Sequence, residues 1–201
     1  MNVIKYLSPL LKEPKLVDDL PVIIRVRKFD EVSARDFSTA MRKAQNTGQP
    51  VVPVIIDSYG GQVYSLMSMI SDIKHSKLPV ATIVQGKAMS CGAILFSFGA
   101  ENHRYMDPDA TLMIHDVSSM NWGKVEEIKA SAEETERLNK KVYQMMAKNC
   151  GQRKNYFLDI IHEKSHADWF IDIKEAQKHN LATHSHIPEL KIEARVSFKF
   201  E

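Results

Sequence analysis

VATIVQGKAMSCGAILF, residues 80–96, decides the fold. Its first five residues, 80–84, are apolar and rich in β-branched side chains, as a buried strand requires. A turn of small residues then leads into a helix from about Ser90. The same succession stands upstream. VVPVIID (51–57) is a nearly continuous apolar run, expected of a strand covered on both faces. Pro53 sits awkwardly in it, because proline lacks a ladder donor. Gly60 and Gly61 follow at once, then a helical pattern with Val63, Leu66, Met67 and Ile70. Strands that feed helices through short glycine-bearing turns imply an α/β domain on a mainly parallel sheet. Such folds place their sites where strands end.

Working outward, PVIIRVRKF (21–29) reads as a strand. Asp30 or Ser33 caps the next helix, which carries Phe37, Met41 and Ala44 on one face. NTGQP (46–50) is a turn. Downstream, HRYMDP (103–108) turns the chain into TLMIHD (111–116), another buried strand. Residues 124–149 have helical spacing, with Val125, Ile128, Leu138, Val142, Met145 and Met146, and Gly151 suits a C-cap. A second helical pattern covers 153–164. LKIEARVSFKF (190–200) alternates apolar and polar residues, as a half-buried strand does. The first twenty residues read as an irregular arm with one short helix at most. The expected division is an arm (1–20), a main α/β domain (21–187) and a C-terminal amphipathic strand (188–201).

Composition narrows the class. With 201 residues, 44% apolar and 26% charged, the chain suits one soluble globular domain. A formal charge of +2, with Lys and Arg scattered, gives no reason to expect nucleic acid or a membrane surface as partner. Cys91 and Cys150 form no C-x-x-C pair and no disulfide framework, which favours a reducing compartment. The N-terminal apolar runs are broken by Pro9, Lys12, Glu13 and Pro14, unlike a signal peptide. The window around 80–100 is interrupted by Gln85, Lys87, Gly92 and Gly99, unlike a membrane span. A cytoplasmic protein without cofactor or metal is expected. His184 and His186 have no carboxylate or thiolate at ligand spacing, and the Met-rich 142–146 stretch reads as packing.

Three features carry chemistry. Asp57-Ser58-Tyr59-Gly60-Gly61 ends a buried strand, and paired glycines let a backbone approach another group closely. Ser90 stands at a helix start among small residues, where free N–H groups favour an oxyanion. Met113-Ile114-His115 ends an apolar strand, and histidine is the side chain that takes and gives protons near neutrality. Alone, each has a plain structural reading: a tight turn, an N-cap serine, a hydrogen-bonded buried histidine.

In this order the three resemble the Clp protease proteolytic subunit, ClpP. Its motifs run as a glycine pair after a strand, then G-x-A-x-S-x-G-A, then M-I-H. The 29-residue step from Gly61 to Ser90 and the 25-residue step from Ser90 to His115 are similar to the family's. The likeness spans roughly residues 20–184 and includes the helix at 124–149, Gly151-Gln152 and the tail motifs Asp168-Trp169-Phe170, Glu175-Ala176 and Asn180-Leu181. It implies a ClpP/crotonase-like fold of repeated strand-strand-helix units with a protruding handle helix. It also implies a serine endopeptidase with Ser90 as nucleophile, His115 as base and Asp168 as third member, Asp159 and Asp172 being alternatives. Backbone N–H groups of Gly61 and Cys91 would hold the oxyanion, and Gly60, Gln62 and Val63 would line a substrate strand. Stacked heptameric rings, polypeptide substrates and an AAA+ unfoldase partner follow from the same likeness.

The chain departs from the family pattern at several places. Asp57-Ser58-Tyr59 replaces Asn-Ser-Pro, and Asp116-Val117 follows His115 in place of Gln-Pro. A few extra residues lie between Gly151 and Asp168. The N-terminal arm does not resemble the family's axial-loop segment, and 190–200 extends past its usual end. These departures fit a divergent member, such as a phage-encoded one. Other readings are a phage capsid-maturation peptidase without an ATPase, a crotonase-like acyl-CoA enzyme, and a non-catalytic scaffold. The Ser90–His115 pair argues against the crotonase reading, which does not need it.

Overall fold

A computed structural model describes residues 20–120 and 122–189, together with two short strands of the arm, Lys5–Tyr6 (β1) and Lys15–Leu16 (β2). The expected strand at 190–200 lies outside the described residues. In the arm, β1 and β2 pair antiparallel, where the sequence suggested at most a short helix.

The domain is built on a six-stranded sheet of Ile24–Val26 (β3), Val52–Ser58 (β4), Val80–Met89 (β5), Arg104–Met106 (β6), Thr111–Ile114 (β7) and Trp169–Ile171 (β8). The order is β3-β4-β5-β7-β8, with β6 also on β5. All pairings are parallel except β7 with β8. Pro53 is tolerated because the ladder from β4 to β3 begins at Val54.

Helices cover the sheet: Glu31–Ala44 (α1), Val63–Lys74 (α2), Cys91–Phe96 (α3), Val125–Asn149 (α4), Tyr156–Glu163 (α5) and Ile173–Lys178 (α6). Asp30 is the cap of α1 and accepts from Ser33 N at 2.7 Å. Every residue of α3 is buried, as a helix apolar all round must be. By contrast, α4 has no buried residue before Leu138, so its first half protrudes as a handle.

Several elements differ from the sequence reading. The expected turn after Val84 is the second half of β5, which runs on to Met89. Gly86, at φ +81°, lets β5 shift register against β4 and then pair with β7. The expected turn at 103–108 contains β6. Arg104 is buried there, and its guanidinium donates to the carbonyls of Leu181 (2.9 Å) and Asn180 (3.1 Å), tying the tail to the sheet. The strand at 21–29 shortens to β3, followed by an isolated bridge from Phe29 to Gly61. Neither β8 nor α6 has a periodic signature, since each is three or six residues long. Among the described residues, no helix is long and apolar enough to cross a membrane.

Candidate active site

Ser90 joins β5 to α3. Its φ of 53° and ψ of −119° are rare for a residue with a Cβ, and mark a sharp strand-to-helix turn that turns Oγ out of the sheet. The turn is held by Ser90 N donating to Met113 O at 2.8 Å. Cys91 begins α3, so its N–H belongs to the first turn, where no carbonyl four residues back is in reach.

The glycine pair lies against this serine. A Cβ on Gly60 would sit 2.8 Å from Ser90 Cβ and 3.3 Å from Ser90 Oγ. At Gly61 it would sit 2.4 Å from Phe29 O. Their φ angles of 106° and 148° also demand glycine. Gly60 N donates to Ser58 Oγ at 3.0 Å and Gln62 N to Phe29 O at 2.8 Å. The Gly61 N–H between them has no acceptor among the described residues. The Cys91 thiol donates to Gly61 O at 3.2 Å, so the turn and the start of α3 touch directly. Burial pushes that thiol up to about 11.

His115 stands one residue past β7, and its Nε2 lies 2.9 Å from Ser90 Oγ. Its carbonyl accepts from Tyr143 Oη on α4. The ladder from β7 to β8 pairs Leu112 with Ile171, Met113 with Phe170 and Ile114 with Trp169. One further step of that register sets His115 opposite Asp168. Asp168 Oδ1 is 3.5 Å from His115 Nδ1, with the two side chains 52% and 27% exposed. The alternative carboxylates are engaged elsewhere: Asp159 pairs with Arg153, and Asp172 caps α6 by accepting from Glu175 N at 2.8 Å.

The structure therefore brings Ser90, His115, Asp168, Gly60, Gly61 and Cys91 to one place at the ends of β4, β5 and β7. Gln62 and Val63 continue from the glycine turn into α2, Gln62 as its N-cap. His184 and His186 lie apart, His184 stacked on Tyr105 at 4.6 Å and His186 edge-on to the same ring at 5.7 Å. Among the described residues, no group of three or more His, Cys, Asp or Glu is arranged to hold a metal.

The family model for Clp protease matches residues 16–185, well over half of the chain. The chain belongs to the Clp protease family. It is a peptidase of the ClpP type, and its mixed α/β sheet with a protruding helix is the fold expected of that family. Members of the Clp protease family typically self-assemble.

Around this candidate site of the Clp-family chain stand residues that sequence reasoning did not assign. Lys87 Nζ pairs with Asp57 at 2.7 Å and lies 4.4 Å over the Tyr59 ring, propping the glycine turn from outside. Asp116 accepts from Asn139 Nδ2 at 2.7 Å and from His166 Nδ1. Burial would raise its pKa, but the hydrogen bonds from His166 and Asn139, with the nearby charges of His166 and then His162, outweigh burial and hold it below the ordinary value. Partners separated by 23 and 50 residues leave no local pattern, so the family departure at Asp116 was the one available signal.

Proposed function

We propose that this Clp-family peptidase is a serine endopeptidase that cleaves unfolded polypeptides by acyl transfer. The observation that carries the reading is the 2.9 Å contact between His115 Nε2 and Ser90 Oγ, made at a serine of positive φ beside a glycine turn. Ser90 Oγ attacks the scissile carbonyl as its proton passes to His115 Nε2. Asp168 orients the imidazole and stabilises its protonated form. The tetrahedral oxyanion is met by the N–H groups of Gly61 and Cys91, and that neither has an oxygen acceptor among the described residues supports that role. Collapse expels the amine, which takes the proton from His115. Water, deprotonated by His115, then releases the acyl group and restores Ser90. The substrate lies as an added strand along Gly60–Val63 and the stretch after His115.

The same proposal places this chemistry inside stacked heptameric rings in the cytoplasm, fed by an AAA+ unfoldase when the substrate is folded. Exposed Met120, Trp122, Val125 and Ile128 near the start of the handle helix support self-association there. The test is hydrolysis of a fluorogenic peptide by the assembled protein. Ser90→Ala and His115→Ala should each lose about 10³-fold or more, because triad members act as a unit. Parent-like turnover in Ser90→Ala, or full activity in a sedimenting monomer, contradicts the reading.

A further inference from the structure

The ladder between β7 and β8 ends at Ile114 and Trp169. One step beyond it stand His115 and Asp168. Just past them the two segments meet again through side chains, as His166 Nδ1 donates to a carboxylate oxygen of Asp116. The His115–Asp168 pair is thus bracketed, by backbone hydrogen bonds on one side and by a side-chain ion pair on the other.

The Asp116 end of this bridge is anchored. Its other oxygen accepts from Asn139 Nδ2 at 2.7 Å, and Asn139 Oδ1 accepts from Val117 N at 3.0 Å. Tyr143, one turn further along α4, donates to His115 O. The His166 end sits in a strained loop. Ser165 and His166 have φ of 57° and 61°, two consecutive left-handed residues with no glycine between them. Such a conformation persists when surrounding contacts hold it. The His162 ring lies 4.7 Å from that of His166 on the α5 side. Both ends of the bridge also fall where the chain departs from the resembled family: Asp116 just after His115, and His166 in the lengthened stretch before Asp168.

Asp168 needs such support. It is half exposed, and its 3.5 Å separation from His115 Nδ1 is a few tenths of an ångström beyond an N–H···O hydrogen bond. A small displacement of the loop decides whether that bond forms. We propose that Asp116 and His166 are positioning residues, a clamp that sets Asp168 against His115 and thereby the reactivity of Ser90. This rests on the reading of Ser90, His115 and Asp168 as a catalytic triad.

The test is a double-mutant cycle on the full-length assembled protein, read by peptide turnover and by the rate of fluorophosphonate labelling. His166→Ala should lower kcat and the labelling rate about 10- to 100-fold with KM little changed, since a misplacement near 1 Å costs about that much. His166→Gln, which keeps a donor for Asp116, should recover part of the loss. In an Asp168→Asn background, His166→Ala should cost nothing further, because its effect runs through Asp168. Equal losses in both backgrounds, or a silent His166→Ala in a folded particle, overturn the clamp. If His166→Ala does not fold, His166→Gln is carried through the same cycle, and a multiplicative effect there overturns it too. An Asp168→Asn variant as active as the parent strikes the triad reading beneath it, whereas a damaged Asp168→Asn beside a silent His166→Ala strikes the clamp alone.

Discussion

Asp168 Oδ1 stands 3.5 Å from His115 Nδ1 because the antiparallel ladder of β7 and β8, carried one residue past its end, sets the two opposite each other. Neither Asp159 nor Asp172 shares that register. Asp168→Asn should therefore lower kcat far more than KM, by up to about 10⁴-fold if the asparagine favours the wrong imidazole tautomer. Asp172→Asn should keep kcat near the parent's, since an asparagine caps a helix about as well as an aspartate. Steady-state kinetics on the two variants decide between the carboxylates. A dead Asp172→Asn beside a fully active Asp168→Asn reverses the assignment.

The glycine turn gives a steric prediction. A methyl group at residue 60 meets Ser90 Cβ at 2.8 Å, and one at residue 61 meets Phe29 O at 2.4 Å. Gly60→Ala should crowd Ser90 Oγ, leaving the particle assembled with little peptide hydrolysis. Both positions have φ values that alanine rarely adopts, so both variants should lose thermal stability, by about 1–3 kcal/mol as other strained backbone positions do, and Gly61→Ala, pressed hardest on backbone, should lose more. Activity and unfolding temperature measured on both variants check the order, and parent-like activity in both removes this turn from the site.

Cys91 adjoins Ser90, yet burial pushes its thiol up to about 11 and that of Cys150 to about 12. At pH 8 only about one Cys91 in 10³ is a thiolate. Iodoacetamide at that pH should leave both cysteines unmodified in the native protein and modify both after unfolding. Fast modification of native Cys91, mapped by mass spectrometry, contradicts the packing described.

Asp116 links charge to stability. Against its burial, the hydrogen bonds from His166 and Asn139, with the charges of His166 and then His162, hold its pKa below the ordinary 3.8. A depressed folded value means that the stabilisation is present above 3.8 and is lost as pH falls through the folded value. Between pH 5 and pH 2 the parent should lose thermal stability more steeply than Asp116→Asn. Parallel acid limbs in the two melting profiles show that the bridge carries no net stability.

Much of this was legible in the sequence. The buried strands 51–57 and 80–84, the glycine pair, the serine at a helix start and the strand-end histidine all follow from short-range patterns of hydrophobicity and turn chemistry. The second half of β5 was not legible, because Gly86 resembles a turn glycine until its pairing with β4 and β7 is known. Likewise β8 is a three-residue strand that exists through its pairing with β7, so Asp168 was reached by resemblance and only the register explains its place. Asn139, Tyr143 and His166 converge on residues 115–117 from distant segments, and no spacing rule brings them together.

The central claim is that His115 activates Ser90, and the most direct measurement is fluorophosphonate labelling with the adduct mapped by mass spectrometry. The account predicts one rapid adduct per chain, on Ser90 Oγ. It predicts slower labelling in His115→Ala by about 10³-fold or more, at unchanged particle size. An adduct on another residue, or labelling of Ser90 at the parent's rate in His115→Ala, would contradict it.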